Sequence, residues 1–216
     1  MKKITFYLLL LLVGISGNCN REKTQMAHLD ESVKDIDGNI YKTVKIGDQW
    51  WMAENLKVTH YRNGDQIACL TIDDEWDQPM GAYCYYNNDI SNIGQYGMLY
   101  NWFAVSNSRS IAPEGWHVPT EAEWQELVEY LGGDTLAGSR MKKPTKDTIG
   151  FAALFGGYRY NHGAFDGIGI NAYFWSSTES NEGNAWYRYL YYGNSNVYRD
   201  DSGWKQAGYS VRCVRD

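Results

Sequence analysis

Trp116-His117-Val118-Pro119-Thr120-Glu121-Ala122-Glu123-Trp124-Gln125-Glu126-Leu127-Val128-Glu129-Tyr130-Leu131-Gly132-Gly133 is the strongest local signal in this 216-residue chain. Thr120 followed three residues later by Glu123 forms a capping box. The hydroxyl accepts from a first-turn amide, and the carboxylate reaches back to the cap. Trp124, Leu127, Val128 and Leu131 fall at i, i+3, i+4 and i+7, and Gly132-Gly133 ends the helix. A helix with one apolar stripe must bury it against something, and the rest of the chain supplies strands.

Upstream, residues 40–46 alternate, with Ile40, Lys42, Val44 and Ile46 on one parity. Gly47-Asp48 then turns the chain into Gln49-Trp50-Trp51-Met52, which reads as a β-hairpin. Glu54-Asn55-Leu56 folds back as a cap. Residues 70–80 read as an acidic loop, 82–86 as a short aromatic strand, and 97–104 as a short helix through Met98, Leu99, Trp102 and Phe103. From Phe151 onward, glycine and asparagine turns separate short aromatic segments. Strands are expected at 151–154, 157–160, 174–177, 186–192, 197–200 and 209–214. In the last, Tyr209, Val211 and Cys213 face one way, and Ser210, Arg212 and Val214 the other. One or two short helices against many short strands and long loops place the chain in the α+β class. No repeat at solenoid or propeller spacing is present.

Aromatic residues make up 15% of the chain (9 Trp, 18 Tyr, 6 Phe), with 22 Gly, only 4 Pro and 21% charged residues. Such a composition excludes collagen, proline-rich linkers and charge-dominated disorder, because its apolar content offsets the entropy of ordering the chain. The length suits one domain with a sizeable core.

Met1-Lys2-Lys3 is a basic n-region, and residues 4–15 are almost unbroken apolar. A run of about twelve is too short for a membrane span, which needs about 20, and reads as a signal-peptide core within residues 1–18. Cys19 follows directly, as in lipoproteins whose thiol is acylated and becomes the mature N-terminus. Cleavage after Gly17, with Cys19 a spectator, is the alternative. Residues 19–34 read as a polar tether and 35–216 as the domain. Without Lys2 and Lys3 the chain carries 18 basic and 26 acidic residues, a net charge of −8. No basic stripe exists for phosphate contacts, so nucleic acid is not an expected partner. Beyond Cys19 stand Cys69, Cys84 and Cys213, enough for at most one intramolecular disulfide. Their spacing does not choose between the pairings.

Ordered blocks of sequence then carry a resemblance. They are Asp37-Gly38-Asn39; Val44-Lys45-Ile46-Gly47-Asp48-Gln49-Trp50-Trp51-Met52-Ala53-Glu54-Asn55-Leu56; and Ala82-Tyr83-Cys84-Tyr85-Tyr86-Asn87-Asn88. Further on come Tyr96-Gly97-Met98-Leu99-Tyr100-Asn101-Trp102 and Pro113-Glu114-Gly115-Trp116-His117-Val118-Pro119-Thr120. The last are Trp175-Ser176-Ser177-Thr178-Glu179 and Ser210-Val211-Arg212-Cys213-Val214-Arg215-Asp216. Together they resemble the Fibrobacter succinogenes major paralogous domain (FISUMP) family across residues 35–216. That family consists mainly of exported bacterial proteins, often lipoproteins, and no molecular activity is established for it. Its closing block and its Gly-Trp-His-Val-Pro-Thr lead into the helix are similar to formylglycine-generating-enzyme-like domains. The resemblance implies a C-type-lectin-like fold: small antiparallel sheets, one or two short helices and long loops. Many relatives carry a cysteine where this chain has Ala112. The resemblance therefore implies that a disulfide from that site to Cys213 is missing here, leaving Cys213 free or paired elsewhere.

Catalytic chemistry is poorly supplied. There is no Gly-x-Ser-x-Gly or Ser-x-x-Lys, and the histidines are His28, His60, His117 and His162. His117 is expected to hydrogen-bond loop backbone before the helix. Copper-dependent formylglycine chemistry needs two neighbouring cysteines, and Cys213 has no such neighbour. Asp35-x-Asp37-Gly38-Asn39 and Asp73-Asp74-Glu75-Trp76-Asp77 place oxygens at alternate positions, as calcium loops do. An EF-hand from Asp35 needs a Glu where Ile46 stands, and Gln78-Pro79-Met80 departs from the lectin-type calcium loop. Both stretches read as solvated turns, so no metal and no cofactor is expected.

What remains is aromatic. Residues 186–192 carry rings on both parities, so one face of that strand presents rings to loops or solvent. Tyr158, Tyr160, His162, Tyr187, Tyr189 and Tyr191 are the candidate ligand-binding residues. The expectation is an exported, lipid-anchored envelope domain, of the outer membrane or cell surface, that binds a glycan or protein ligand without catalysis. The alternatives are a structural envelope component whose rings only pack, and an unrecognised enzyme.

Overall fold

A computed structural model describes residues 32–142 and 150–216. The signal segment, Cys19 and most of the tether lie outside the described residues. β1 (Ser32–Lys34) pairs antiparallel with β2 (Ile40–Ile46), so residues assigned to the tether take part in the first sheet. β2 turns at Gly47 into β3 (Gln49–Met52), the hairpin expected from alternation. β4 (Ala68–Cys69), α1 (Asp73–Trp76), β5 (Ala82–Cys84), α2 (Ile93–Tyr96), β6 (Leu99–Tyr100) and α3 (Trp102–Val105) follow. After them come β7 (Trp116–His117), α4 (Glu121–Tyr130) and α5 (Ala137–Met141). The C-terminal part contributes β8 (Gly156–Arg159), β9 (Phe165–Ile168), β10 (Asn171–Glu179), β11 (Asn184–Tyr191), β12 (Val197–Trp204) and β13 (Val214–Arg215).

Among the described residues three sheets result: β1-β2-β3-β13-β7, β12-β11-β10-β8-β9 and β4-β5-β6. Pairing is antiparallel except for β4 with β5 and β8 with β10. The α+β class with small sheets, short helices and long loops is therefore correct. β13 enters the first sheet between β3 and β7, pairing Val214 with both Trp51 and His117, so the two ends of the domain close one layer.

The helix that decides the fold forms as its sequence dictates. Thr120 Oγ1 accepts from the Glu123 amide, and Glu123 Oε2 accepts from the Thr120 amide at 2.8 Å. Its stripe of Trp124, Leu127, Val128 and Leu131 is buried with Val44, Trp51, Phe151, Phe174 and Leu190 in one core. There Trp124 meets Trp51 at 4.8 Å and Phe174 at 5.8 Å between ring centroids. A second core, on the other side of the central sheet β12-β11-β10-β8-β9, collects Tyr100, Trp102, Trp175, Tyr187, Tyr209, Val211 and Cys213.

Three local expectations are corrected. Residues 97–104 are not one helix. Gly97 has φ +72° and lies against Asn55 and Leu56, and a short strand follows it. Asn101 then caps α3, its side-chain oxygen accepting from Ala104 and Ala82 amides. Residues 151–154 are not a strand, because their carbonyls are taken by a buried side chain: Arg212 donates to the Phe151 and Ala152 oxygens. Residues 209–214 form a ladder only at Val214. Upstream of it the chain makes single bridges, Tyr100 to Tyr209 and Phe174 to Ser210, that tie different sheets together. The alternation expected there survives even so. Tyr209, Val211 and Cys213 enter one core and Val214 the other. Cys69, Cys84 and Cys213 are all free thiols, the last two buried.

Candidate functional site

The central sheet has two unlike faces, and parity decides which residue goes where. On β10, Ala172 and Phe174 point into the core beneath α4, leaving Tyr173 and Trp175 on the opposite face. On β11, Leu190 packs into that core and Arg188 binds Glu121 of α4. Tyr187 and Tyr189 therefore join Tyr173. Register then lines the rings up across strands, with Tyr173 opposite Tyr189 and Tyr189 opposite Tyr198 of β12. The Tyr173 and Tyr189 rings stack at 5.1 Å with planes 10° apart, and Tyr189 and Tyr198 at 4.6 Å and 13°.

β8 extends the row. Its Tyr158 ring lies 4.4 Å from Tyr173, and Tyr160 lies 4.9 Å from Tyr158 and shares a 2.7 Å hydroxyl hydrogen bond with it. His162 stacks on Tyr160 at 5.0 Å and 12°. Four strands spaced about 4.8 Å apart give a row of roughly 15 Å, before the Tyr160 and His162 extension is added. Tyr160 is 38% exposed, Tyr158, Tyr173, Tyr189 and Tyr198 are half-buried, and His162 is exposed. Beneath them Tyr209 forms a buried floor, 5.0 Å from Tyr173, 5.1 Å from Tyr187 and 4.2 Å from Trp175.

The six residues expected at a ligand site thus divide. Tyr158, Tyr160, His162 and Tyr189 share the row. Tyr187 is 9% exposed and belongs to the floor. Tyr191 packs on Tyr192 at 4.9 Å and lies beside Gly193, at the end of its strand. Tyr173 and Tyr198 complete the row and were not among the six. The alternation of Asn171, Tyr173 and Trp175 marks the first, but only strand register reveals the second.

Carboxylates border the rings. Tyr158 Oη lies 3.4 Å from Asp166 Oδ2, and Asp200 sits opposite Tyr187 on β12. Burial, followed by neighbouring phenols and by Asp200 and Asp166, raises the Tyr173 hydroxyl to about 12. Burial with Asp200 raises Tyr187, and burial with the Tyr160 hydrogen bond raises Tyr158. Tyr158, Tyr173, Tyr187 and Tyr189 are therefore held protonated, with carboxylates at the margins of the row.

The other motif residues are spent internally. Asp35 Oδ2 accepts from Tyr41 Oη at 2.6 Å, and Asp37 takes the His60 ring nitrogen at 2.6 Å and the Thr59 hydroxyl at 2.9 Å. Asp73 pairs with the buried Arg159 at 2.8 Å. His117 departs from the expected backbone role: Nε2 lies 2.7 Å from Glu123 and Nδ1 2.6 Å from Asp216. Burial opposes its charged form, but these two hydrogen bonds outweigh that and raise its pKa above the usual imidazole value. With both nitrogens committed to carboxylates, the ring is a clamp between α4 and the C-terminus. Among the described residues no cluster of His, Cys, Asp and Glu is arranged to hold a metal ion.

A family model described as Fibrobacter succinogenes major domain matches residues 44–215. No curated protein and no solved structure matches the chain.

Proposed function

The chain belongs to the Fibrobacter succinogenes major domain family, and from that premise we propose an exported, lipid-anchored envelope domain that binds a glycan or protein ligand on its tyrosine row. The fold we assign is C-type-lectin-like, and the role is recognition rather than catalysis. The observation that carries the reading is the half-exposed row of Tyr160, Tyr158, Tyr173, Tyr189 and Tyr198 across four strands. The opposite face of β10 and β11 packs against α4, and that of β8 turns Arg159 toward Asp73 and Trp76. The row offers apolar ring edges and hydroxyls together, a mixture that sugars and extended peptides can use.

Export and anchoring rest on the basic start, the apolar run over residues 4–15 and Cys19. Incorporation of labelled fatty acid into the cellular protein, lost in Cys19→Ser, tests the anchor. The mature chain, purified in detergent, tests recognition on a glycan array and in an envelope-protein pull-down. Retention that falls at least tenfold in a folded Tyr189→Ala variant supports the reading, and no retention on either overturns it.

A second reading, a structural envelope component, draws on Tyr187 and Tyr209, whose burial beneath the row shows that part of the cluster serves packing. On that reading Tyr189→Ala alters stability but no retention.

A further inference from the structure

The charge around the tyrosine row selects among ligands, an inference that rests on the binding role proposed above. We propose that the row takes an extended basic segment of a partner protein, its Arg and Lys side chains lying along the exposed ring edges and hydroxyls and reaching Asp166 and Asp200.

Three observations carry this. First, the charged groups flanking the row are carboxylates. Asp166 Oδ2 lies 3.4 Å from Tyr158 Oη, and Asp200 sits opposite Tyr187 on β12, its Oδ1 accepting from the Ser202 amide and hydroxyl. Second, neighbouring cations are turned away or consumed. Arg159 is buried against Asp73, Arg188 and Arg199 converge on Glu121 of the opposite face, and Lys205 binds Glu179. Arg199 also stacks on Trp186, 4.2 Å from its ring, on that same far face. Third, stacking turns the ring faces toward one another, with Tyr189 held between Tyr173 and Tyr198, so the row presents ring edges and hydroxyls to a ligand. A phenol oxygen accepts from guanidinium or ammonium, a carboxylate at the margin adds a charge-assisted hydrogen bond, and the planar fork of arginine reaches both at once.

An uncharged sugar chain could donate hydroxyls to the two carboxylates but would leave their charge unpaired. An acidic partner would be repelled, the more so because the mature chain carries 18 basic against 26 acidic residues. A row of about 15 Å accommodates four or five residues of extended peptide at roughly 3.3 Å each. Such a segment would alternate its side chains, with every second one reaching the rings.

The test uses the mature chain and four fluorescent probes: an Arg-Gly-Arg-Gly-Arg peptide, its Gln-for-Arg and Glu-for-Arg counterparts, and an uncharged β-linked hexasaccharide. The expected result is tightest binding of the arginine peptide. Asp166→Asn with Asp200→Asn weakens it about tenfold or more, as does Tyr189→Ala. Raising salt from about 50 to 500 mM weakens it further. Glu126→Gln with Glu129→Gln, which removes the same charge from the exposed face of α4, leaves it unchanged. Equal binding of the arginine and glutamine peptides, or indifference to Asp166→Asn with Asp200→Asn, overturns the proposal. Hexasaccharide binding that depends on Tyr189 but not on Asp166 or Asp200 overturns it while leaving the recognition role intact. Failure of every probe, together with an empty pull-down, removes both.

Discussion

Arg159 and Asp73 meet at 2.8 Å across 86 residues of chain, the guanidinium fully buried and the carboxylate at the surface. Arg159 also donates to the carbonyls of Gly163 and Leu70 at 2.8 and 2.7 Å, and it lies 4.4 Å from the Trp76 ring. One side chain therefore binds the acidic loop to the turn that carries Tyr160 and His162. The acidic stretch, read from sequence as a solvated turn, is the outer wall of that anchor.

Substitutions at this joint should rank by how many partners they orphan. Asp73→Asn loses one charged partner at the surface and is expected to cost about 1 kcal/mol. Arg159→Met leaves buried carbonyls without donors and should cost roughly 3 kcal/mol. Gly163 has φ +97°, and an added Cβ would lie 2.2 Å from Asp73, so Gly163→Ala should cost about 2 kcal/mol or more. Urea denaturation of the three variants checks the order.

Arg212 should prove among the least replaceable residues. It is fully buried, donating to Asn55 Oδ1 at 2.8 Å and to the carbonyls of Met52, Phe151 and Ala152. Arg212→Leu strands these acceptors and is expected to cost at least about 3 kcal/mol. Arg212→Lys should recover little, since one ammonium cannot reproduce the guanidinium fork. Thermal melts distinguish the two from the wild-type chain.

The His117 clamp should make stability depend on pH in a defined direction. The folded state raises its pKa, so it binds the proton more tightly than the unfolded chain does. The contribution is fully present below about pH 6.5, the unfolded value, and is lost as pH rises through the raised folded value. Solvent screening at this half-exposed site keeps the effect below about 1 kcal/mol. Denaturation midpoints at pH 5.5 and 8.5 should converge in His117→Asn relative to wild type.

Thiol reactivity should divide sharply. Cys69 is exposed, while burial pushes the Cys84 thiol up to about 12 and raises Cys213 as well. One equivalent of thiol should react with an aromatic disulfide reagent in the native domain, and Cys69→Ser should abolish it. Denaturant should release the other two.

Local chemistry made much of the fold readable in advance. Thr120 and Glu123 lie three residues apart and satisfy each other, and the Ile40–Met52 hairpin turns on adjacent Gly47 and Asp48. Where partners are distant, such reading fails. Residues 97–104 look helical until Asn101 is seen bonding Ala82 and Met80, and residues 151–154 look extended until Arg212 claims their carbonyls. The site divides in the same way. Tyr158, Tyr160, His162 and Tyr189 were legible as candidates because rings cluster in that half of the chain. Tyr191 shares the parity of Tyr189 yet leaves the row, because at the end of β11 it packs on Tyr192.

By itself the sequence determined the α+β class, the helix at residues 121–130, the alternation of faces at Tyr209 to Val214 and an unusual supply of tyrosine. Each of these follows from neighbours within a few residues. Only the tertiary structure decided which tyrosines meet. That depends on register between strands up to 40 residues apart, including bulges between Trp175 and Glu179 and between Ala185 and Tyr187. A shift of one residue would have turned the same rings toward α4.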